Sequence, residues 1–195
     1  MRTMARKTTE ILAKILGALV FAAVLATGPA FAGGFKLTSA EFADGDYLGN
    51  EQVFAGFGCA GQNVSPSLSW NDPPAGTKSF AVTVYDPDAP TGSGWWHWVI
   101  ANLPPATRGI AKGAGTKEGT GLPEGAVQVR TDFGAPGYGG PCPPKGDHPH
   151  RYLFTVYALD LEKLDVTAES SPALVGFYLN FHTLAKSSLM GLYKR

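Results

Sequence analysis

The sequence predicts an all-β fold in which strands pack face to face as a sandwich, and three observations carry that reading. Segments rich in β-branched and aromatic residues recur between clusters of glycine and proline. One of them, Phe80-Ala81-Val82-Thr83-Val84-Tyr85, is apolar at nearly every position, as a strand buried on both faces must be; in another, Tyr152, Phe154, Val156 and Ala158 alternate with more polar neighbours. The composition, with 25 Gly and 15 Pro, suits many turns joining short strands.

The chain opens with a pattern expected of a cleavable transport signal. Arg2, Arg6, Lys7 and Lys14 form a basic head, Ile15 to Ala26 is apolar, and Ala30-Phe31-Ala32 offers small residues where signal peptidase needs them. The apolar run is about a dozen residues, short of the ~20 that span a bilayer, so cleavage after Ala32 is expected rather than anchoring. No cysteine follows the run for lipid attachment, and Arg6-Lys7 is too poor a twin-arginine match to name the export route. Removal of residues 1–32 leaves 163 residues, 33–195, of a length that suits one domain. Four basic and one acidic residue go with it, leaving 12 against 15 and a formal charge near −3, which is no nucleic-acid signature. The expected location is periplasmic or secreted.

Five strands are predicted in order: Phe35 to Ser39, Phe80 to Asp86, His97 to Leu103, Ala126 to Thr131, and Arg151 to Leu159. Thr107 to Glu124 has no periodicity and reads as a glycine-rich loop. One helix is predicted near the C-terminus: Ser170-Ser171-Pro172 supplies a cap and a first-turn proline. After it, Leu174, Phe177, Phe181, Leu184 and Ser188 recur at spacings of three and four, and that stripe is taken as its docking face. His182 beside it reads as a surface or half-buried helix residue. Cys59 and Cys142 are the only cysteines, and in an oxidising compartment they form either a disulfide, the favoured reading, or two free thiols.

Chemistry concentrates at strand ends. Asp86-Pro87-Asp88-Ala89-Pro90 ends one strand with two carboxylates held by prolines. Trp95-Trp96-His97-Trp98 opens the next, an apolar wall around one titratable tip. Gly137 to Gly146 is a glycine- and proline-rich loop whose amides could cradle an anion, and Asp147-His148-Pro149-His150-Arg151-Tyr152 leads from it into another strand. Taken singly, each has a bland alternative: an Asp-Pro turn, a core aromatic cluster with a satisfied histidine, a surface loop.

Taken together and in this order, DPDAP, the tryptophan–histidine strand start and PPKG…HRY resemble the phosphatidylethanolamine-binding protein (PEBP) family, in particular its bacterial Raf kinase inhibitor-like branch. Asn63 to Trp70, Phe80 to Pro104 and Gly176 to Leu184 share the resemblance, which spans the chain from about Phe35. It implies an all-β PEBP-like β-sandwich, a large sheet packed on a smaller sheet with peripheral helices, and a pocket for phosphate or a phosphorylated head group. Carried over by motif, the ligand-binding residues are Asp86, Asp88, His97, Gly140, Pro141, Cys142 and His150, while His148 has no counterpart. The loop between Pro90 and Trp95 is short and the long N-terminal segment of animal members is absent, so their kinase-regulating surfaces are not carried over.

The mechanism expected from these groups has Asp86 and Asp88 orient His97 and His150 and favour their charged forms, so that each imidazolium offers an N–H to the anion. The chain is then a non-enzymatic binding protein without a cofactor, which could also inhibit a kinase or protease. Two alternatives fit some of these groups. Asp–His pairs can do general acid–base work, but no Gly-x-Ser-x-Gly elbow is present and Ser65 and Ser67 look like turn residues. Asp86-x-Asp88 with His148-x-His150 could supply four metal ligands, although no metal is expected.

Overall fold

The structure, a computed structural model, describes residues 34–195. The expected transport signal, residues 1–32, lies outside them. Ten strands and one helix follow in order: β1 Lys36–Thr38, β2 Ala55–Gly56, β3 Cys59–Ala60, β4 Leu68–Asn71, β5 Ser79–Asp86, β6 Trp95–Leu103, β7 Gly109–Ile110, β8 Val127–Gln128, β9 His150–Leu159, α1 Pro172–His182 and β10 Thr183–Tyr193. The large sheet has the order β10-β9-β5-β6-β8, the smaller sheet β1-β4-β7, and β2-β3 is a separate hairpin.

Alternation explains the packing. Phe80, Val82 and Val84 of β5 meet Trp98 and Ile100 of β6, Phe154 and Val156 of β9, and Leu37, Leu68, Trp70 and Ile110 from the smaller sheet, forming the core between the two sheets. Ala81, Val99, Ala101 and Leu159 point the other way, where Leu164, Val166, Val175 and Leu179 cover them. The central strand is therefore apolar on both faces because one face meets a sheet and the other meets α1 and its approach loop. Among the described residues α1 is the one helix, so the further peripheral helices expected from the resemblance do not occur there.

The C-terminal helix starts as expected and ends early. Ser171 caps it, its Oγ accepting from Leu174 N at 3.2 Å, with Pro172 in the first turn. At Thr183 the backbone turns extended, and Thr183 to Tyr193 pairs antiparallel with β9 from Leu159 to His150. Leu184 and Ser188 thus lie on a strand, because the free edge of β9 offers a long ladder that outweighs the helical spacing of the sequence. The predicted docking stripe is also corrected. Pro172, Val175 and Leu179 face the sheet, while Phe177 and Phe181 are 59% and 65% exposed. His182 is half-buried, its Nδ1 2.9 Å from Asp160 Oδ1. No helix among the described residues is long and apolar enough to cross a membrane.

One irregularity positions the site. Val84 pairs with Trp98 but Tyr85 pairs with Trp96, so His97 is an extra residue inserted in β6. A bulge of this kind re-aims the side chain it carries, and His97 faces Tyr152 of β9 edge-on at 5.1 Å between ring centroids.

Candidate functional site

The ends of β5 and β6 and the start of β9 open on a cavity of about 160 Å³, walled mainly by rings. Phe57, Trp95, Phe133 and Tyr152 line it with Pro90, Pro143 and Pro144, and its polar lining includes Asp86, His97 and His150. Phe133 is the hub of the wall, 5.4 Å from both Trp95 and His97 and 5.9 Å from Phe57, centroid to centroid.

Three chain segments far apart in sequence converge here. Asp86 ends β5, and its Oδ1 accepts from Asp88 N at 2.8 Å and Ala89 N at 3.1 Å, so the carboxylate folds its own turn. Its Oδ2 lies 2.7 Å from Nδ1 of His150, with both side chains buried. The other ring nitrogen of His150 faces Asp147 Oδ2 at 3.3 Å. Burial pulls the His150 imidazole toward its neutral form, but the hydrogen bonds to Asp86 and Asp147 outweigh it and hold the group above the ordinary histidine range.

His97 behaves differently. Its Nδ1 donates to Gly139 O at 2.6 Å, and burial pushes its pKa down to about 4 despite that bond and the nearby Asp86. At neutral pH it is an uncharged imidazole whose Nε2 is a lone-pair acceptor. The expected pair of imidazolium donors is therefore not what the geometry provides: His97 is neutral, and His150 has a carboxylate at each ring nitrogen.

Asp88 is also corrected. It orients no histidine; its carboxylate accepts from Arg151 N and Nε, each at 2.9 Å, and from Nη2 at 2.6 Å. These bonds to Arg151 hold its pKa at about 2, and they clamp the Asp-Pro loop to the start of β9. Asp88 does not line the cavity, and neither do Gly140 and Pro141. The glycine loop has a packing role instead. Gly140 N donates to Asn63 Oδ1 at 2.8 Å, Pro141 O accepts from Phe54 N at 3.1 Å, and a Cβ on Gly140 would collide with the backbone of Gln52 and Val53. The amides of Tyr138, Gly139, Gly140 and Gly146 are thus spent on the protein rather than free for an anion. The four metal ligands suggested by sequence likewise separate, since Asp86 serves His150 and Asp88 serves Arg151.

Cys142 lines the cavity and is joined to Cys59 in a disulfide. That bond pins the β2–β3 hairpin, whose tip residue Phe57 is 70% exposed and forms one wall. Sequence reasoning missed Phe57 and Phe133. Phe57 had a signal, since it stands between two glycines and two residues before Cys59, and the disulfide carries it to the pocket; Phe133 had none.

Two polar groups that the motifs did not mark lack a partner among the described residues. Of the three buried side-chain polar atoms without a partner among the described residues, Trp95 Nε1 and Tyr152 Oη belong to residues lining this cavity. An orphaned buried donor is costly, on the order of 1–3 kcal/mol, and calls for a partner. Burial raises the Tyr152 hydroxyl far above the phenol range, so it stays protonated and able to donate.

A sequence model of the family described as phosphatidylethanolamine-binding protein matches residues 38–194. The UPF0098 protein YbcL of Escherichia coli strain K12 is 53% identical over 178 residues, covering 90% of this chain and 97% of YbcL. YbhB of the same organism is 54% identical over 158 residues, covering 81% and 99%. The crystal structure of E. coli YbcL, described as a new member of the mammalian PEBP family, superposes with a TM-score of 0.81 at 55% identity, covering 83% of this chain and 98% of that one. The Chlamydia trachomatis homologue CT736 superposes with a TM-score of 0.68 at 33% identity, covering 83% and 97%.

Proposed function

Because the chain belongs to the phosphatidylethanolamine-binding protein family, we propose that it is an exported, non-enzymatic binding protein whose ring-walled cavity takes a small anion, phosphate or a phosphorylated head group. The observation that carries this is the pair of orphaned buried donors, Trp95 Nε1 and Tyr152 Oη, in the wall of one cavity. Both donate and neither is cationic, so they suit an acceptor-rich oxyanion. Neutral His97 complements them: its free Nε2 accepts the proton of a singly protonated phosphate ester. Binding then favours the protonated phosphate, whose second ionisation lies near pH 6, and affinity rises as pH falls from 8 toward 6.

Export is supported by the N-terminal pattern and by the disulfide, which persists in oxidising compartments. A binding rather than catalytic role is supported by the lining: the cavity's one sulfur is in that disulfide, and the Thr91 hydroxyl donates to Gly94 O at 2.5 Å. A second reading, inhibition of a kinase or protease, draws on the exposed Phe57 ring at the rim, where a protein target would meet the pocket.

Calorimetric titration with inorganic phosphate and with the phosphomonoester O-phosphoethanolamine tests the main reading. Binding that weakens about tenfold in both Trp95→Phe and Tyr152→Phe is expected, as loss of one hydrogen bond worth ~1.4 kcal/mol. Affinity unchanged by both substitutions overturns it. Cell fractionation and N-terminal sequencing test export, the expected mature chain starting at Gly33.

A further inference from the structure

We propose that Asp147, His148 and His150 form a binding site for a zinc-type divalent transition-metal ion beside the cavity. Each offers one ligand atom, and the three atoms lie within 4.8 Å of one another. All stand on the short stretch Asp147-His148-Pro149-His150 that enters β9 at His150, where Pro149 restricts the backbone between the two imidazoles. Two imidazoles and one carboxylate suit zinc and its neighbours, and three protein ligands leave a coordination position open. Among the described residues no second such trio occurs.

Two features separate this trio from an ordinary surface cluster. The first lies behind it. His150 is fully buried, and its Nδ1 is 2.7 Å from the buried Asp86. A metal-ligating histidine characteristically gives its far N–H to a carboxylate, which fixes the tautomer and aims the other nitrogen's lone pair. The second lies in front. Without a metal both ring nitrogens of His150 donate, Nδ1 to Asp86 Oδ2 and Nε2 to Asp147 Oδ2, 3.3 Å away. That hydrogen bond is a long one, and a metal ion that displaces its proton takes both atoms as ligands. Tetrahedral bonds of ~2.0–2.1 Å, by contrast, put neighbouring ligand atoms about 3.3 Å apart. The separation is thus that of a coordination edge and needs no movement of the buried ring. His148, with its side chain 61% exposed and its Nδ1 2.8 Å from Asp147 Oδ1, is the third ligand on the solvent side. The His182–Asp160 pair lacks both features: it is a surface contact with no buried carboxylate behind the ring.

This site is not the four-ligand set suggested by the motifs, and it stands apart from the anion reading, whose donors are Trp95 and Tyr152. The test titrates Zn²⁺ by calorimetry, and Co²⁺ by visible absorption, into protein purified metal-free from cells expressing the full chain. One ion per chain is expected, with the d–d bands of a four-coordinate cobalt site. Because His150 variants risk the fold, the test uses its partners. His148→Ala and Asp147→Asn each weaken Zn²⁺ binding at least tenfold while leaving circular dichroism unchanged, and His148→Ala leaves metal-free phosphate affinity unchanged. Asp86→Asn, acting through His150, weakens it tenfold to a hundredfold, and His182→Ala has no effect. Zn²⁺ affinity unchanged in both His148→Ala and Asp147→Asn, or binding weaker than millimolar, overturns the proposal whatever the phosphate titrations give.

Discussion

His97 and Gly139 are tied to each other twice: the imidazole Nδ1 donates to the glycine carbonyl at 2.6 Å, and the glycine amide donates to the His97 carbonyl at 2.9 Å. The bulged residue of β6 and the glycine-rich loop are thereby one unit, and burial keeps the imidazole uncharged although its bond to the Gly139 carbonyl favours the protonated form. The wall of the cavity is set by packing and hydrogen bonds around a neutral ring.

The first prediction concerns acid stability. The folded pKa of His97, about 4, lies below its unfolded value of about 6.5, so the unfolded chain takes up a proton that the folded chain refuses. The stability is full above about pH 6.5 and is lost as pH falls toward about 4, at roughly 1.4 kcal/mol per unit and at most about 3 kcal/mol. His97→Gln keeps a donor for Gly139 O and removes the titration. Urea unfolding at pH 7 and pH 4.5 is expected to show a smaller drop in the variant than in the parent; equal drops would assign the acid sensitivity elsewhere.

Removing Asp86 strands a buried imidazole. Asp86→Ala is expected to lower the unfolding free energy by about 3 kcal/mol, the scale for breaking a buried pair by deleting one partner. Asp86→Asn keeps an oxygen for the His150 N–H and costs less, about 1–2 kcal/mol. Denaturant midpoints of the two variants, compared at neutral pH, check the order; an Ala variant no weaker than the Asn variant contradicts the pairing.

Tyr152→Phe should separate stability from binding. Deleting a buried hydroxyl that has no partner relieves its desolvation, so thermal unfolding is expected to shift upward by the equivalent of about 1 kcal/mol. Phosphate affinity falls about tenfold in the same protein. A variant that loses stability would show that the hydroxyl already has a partner.

Reduction of the disulfide is expected to weaken both the fold and the pocket. Cys59 and Cys142 are 83 residues apart, and closing a loop of that length stabilises by about 4–5 kcal/mol in the chain-entropy model. The hairpin they anchor carries Phe57, so the double variant Cys59→Ser/Cys142→Ser should also bind phosphate less tightly. Guanidinium unfolding with and without reductant measures the first effect and calorimetry the second.

What could be read in advance was local. The alternation in β5 and β9, the Ser171-Pro172 helix start and the aspartate and histidines at strand ends follow from residue types within a few positions of one another. Even the helix, correctly begun, was carried past its end, because the edge of β9 that turns Thr183 onward into a strand is remote in sequence. The buried helix face failed for a related reason: Phe177 and Phe181 have helical spacing, but the shorter Val175 and Leu179 fit against the sheet.

The sequence by itself determined which chemical groups gather at one end of a β-sandwich: Asp86, His97, Cys142 and His150 all line the cavity. Only the tertiary structure decided what each does. Arg151 claims Asp88, burial keeps His97 neutral against its bond to the Gly139 carbonyl, two carboxylates occupy His150, and Trp95 and Tyr152 are left as the unspent donors. Protonation and hydrogen bonding depend on distances of a few ångströms between residues some 40 to 60 positions apart, and on how much water is excluded around them. Neither quantity is written in the spacing of a motif.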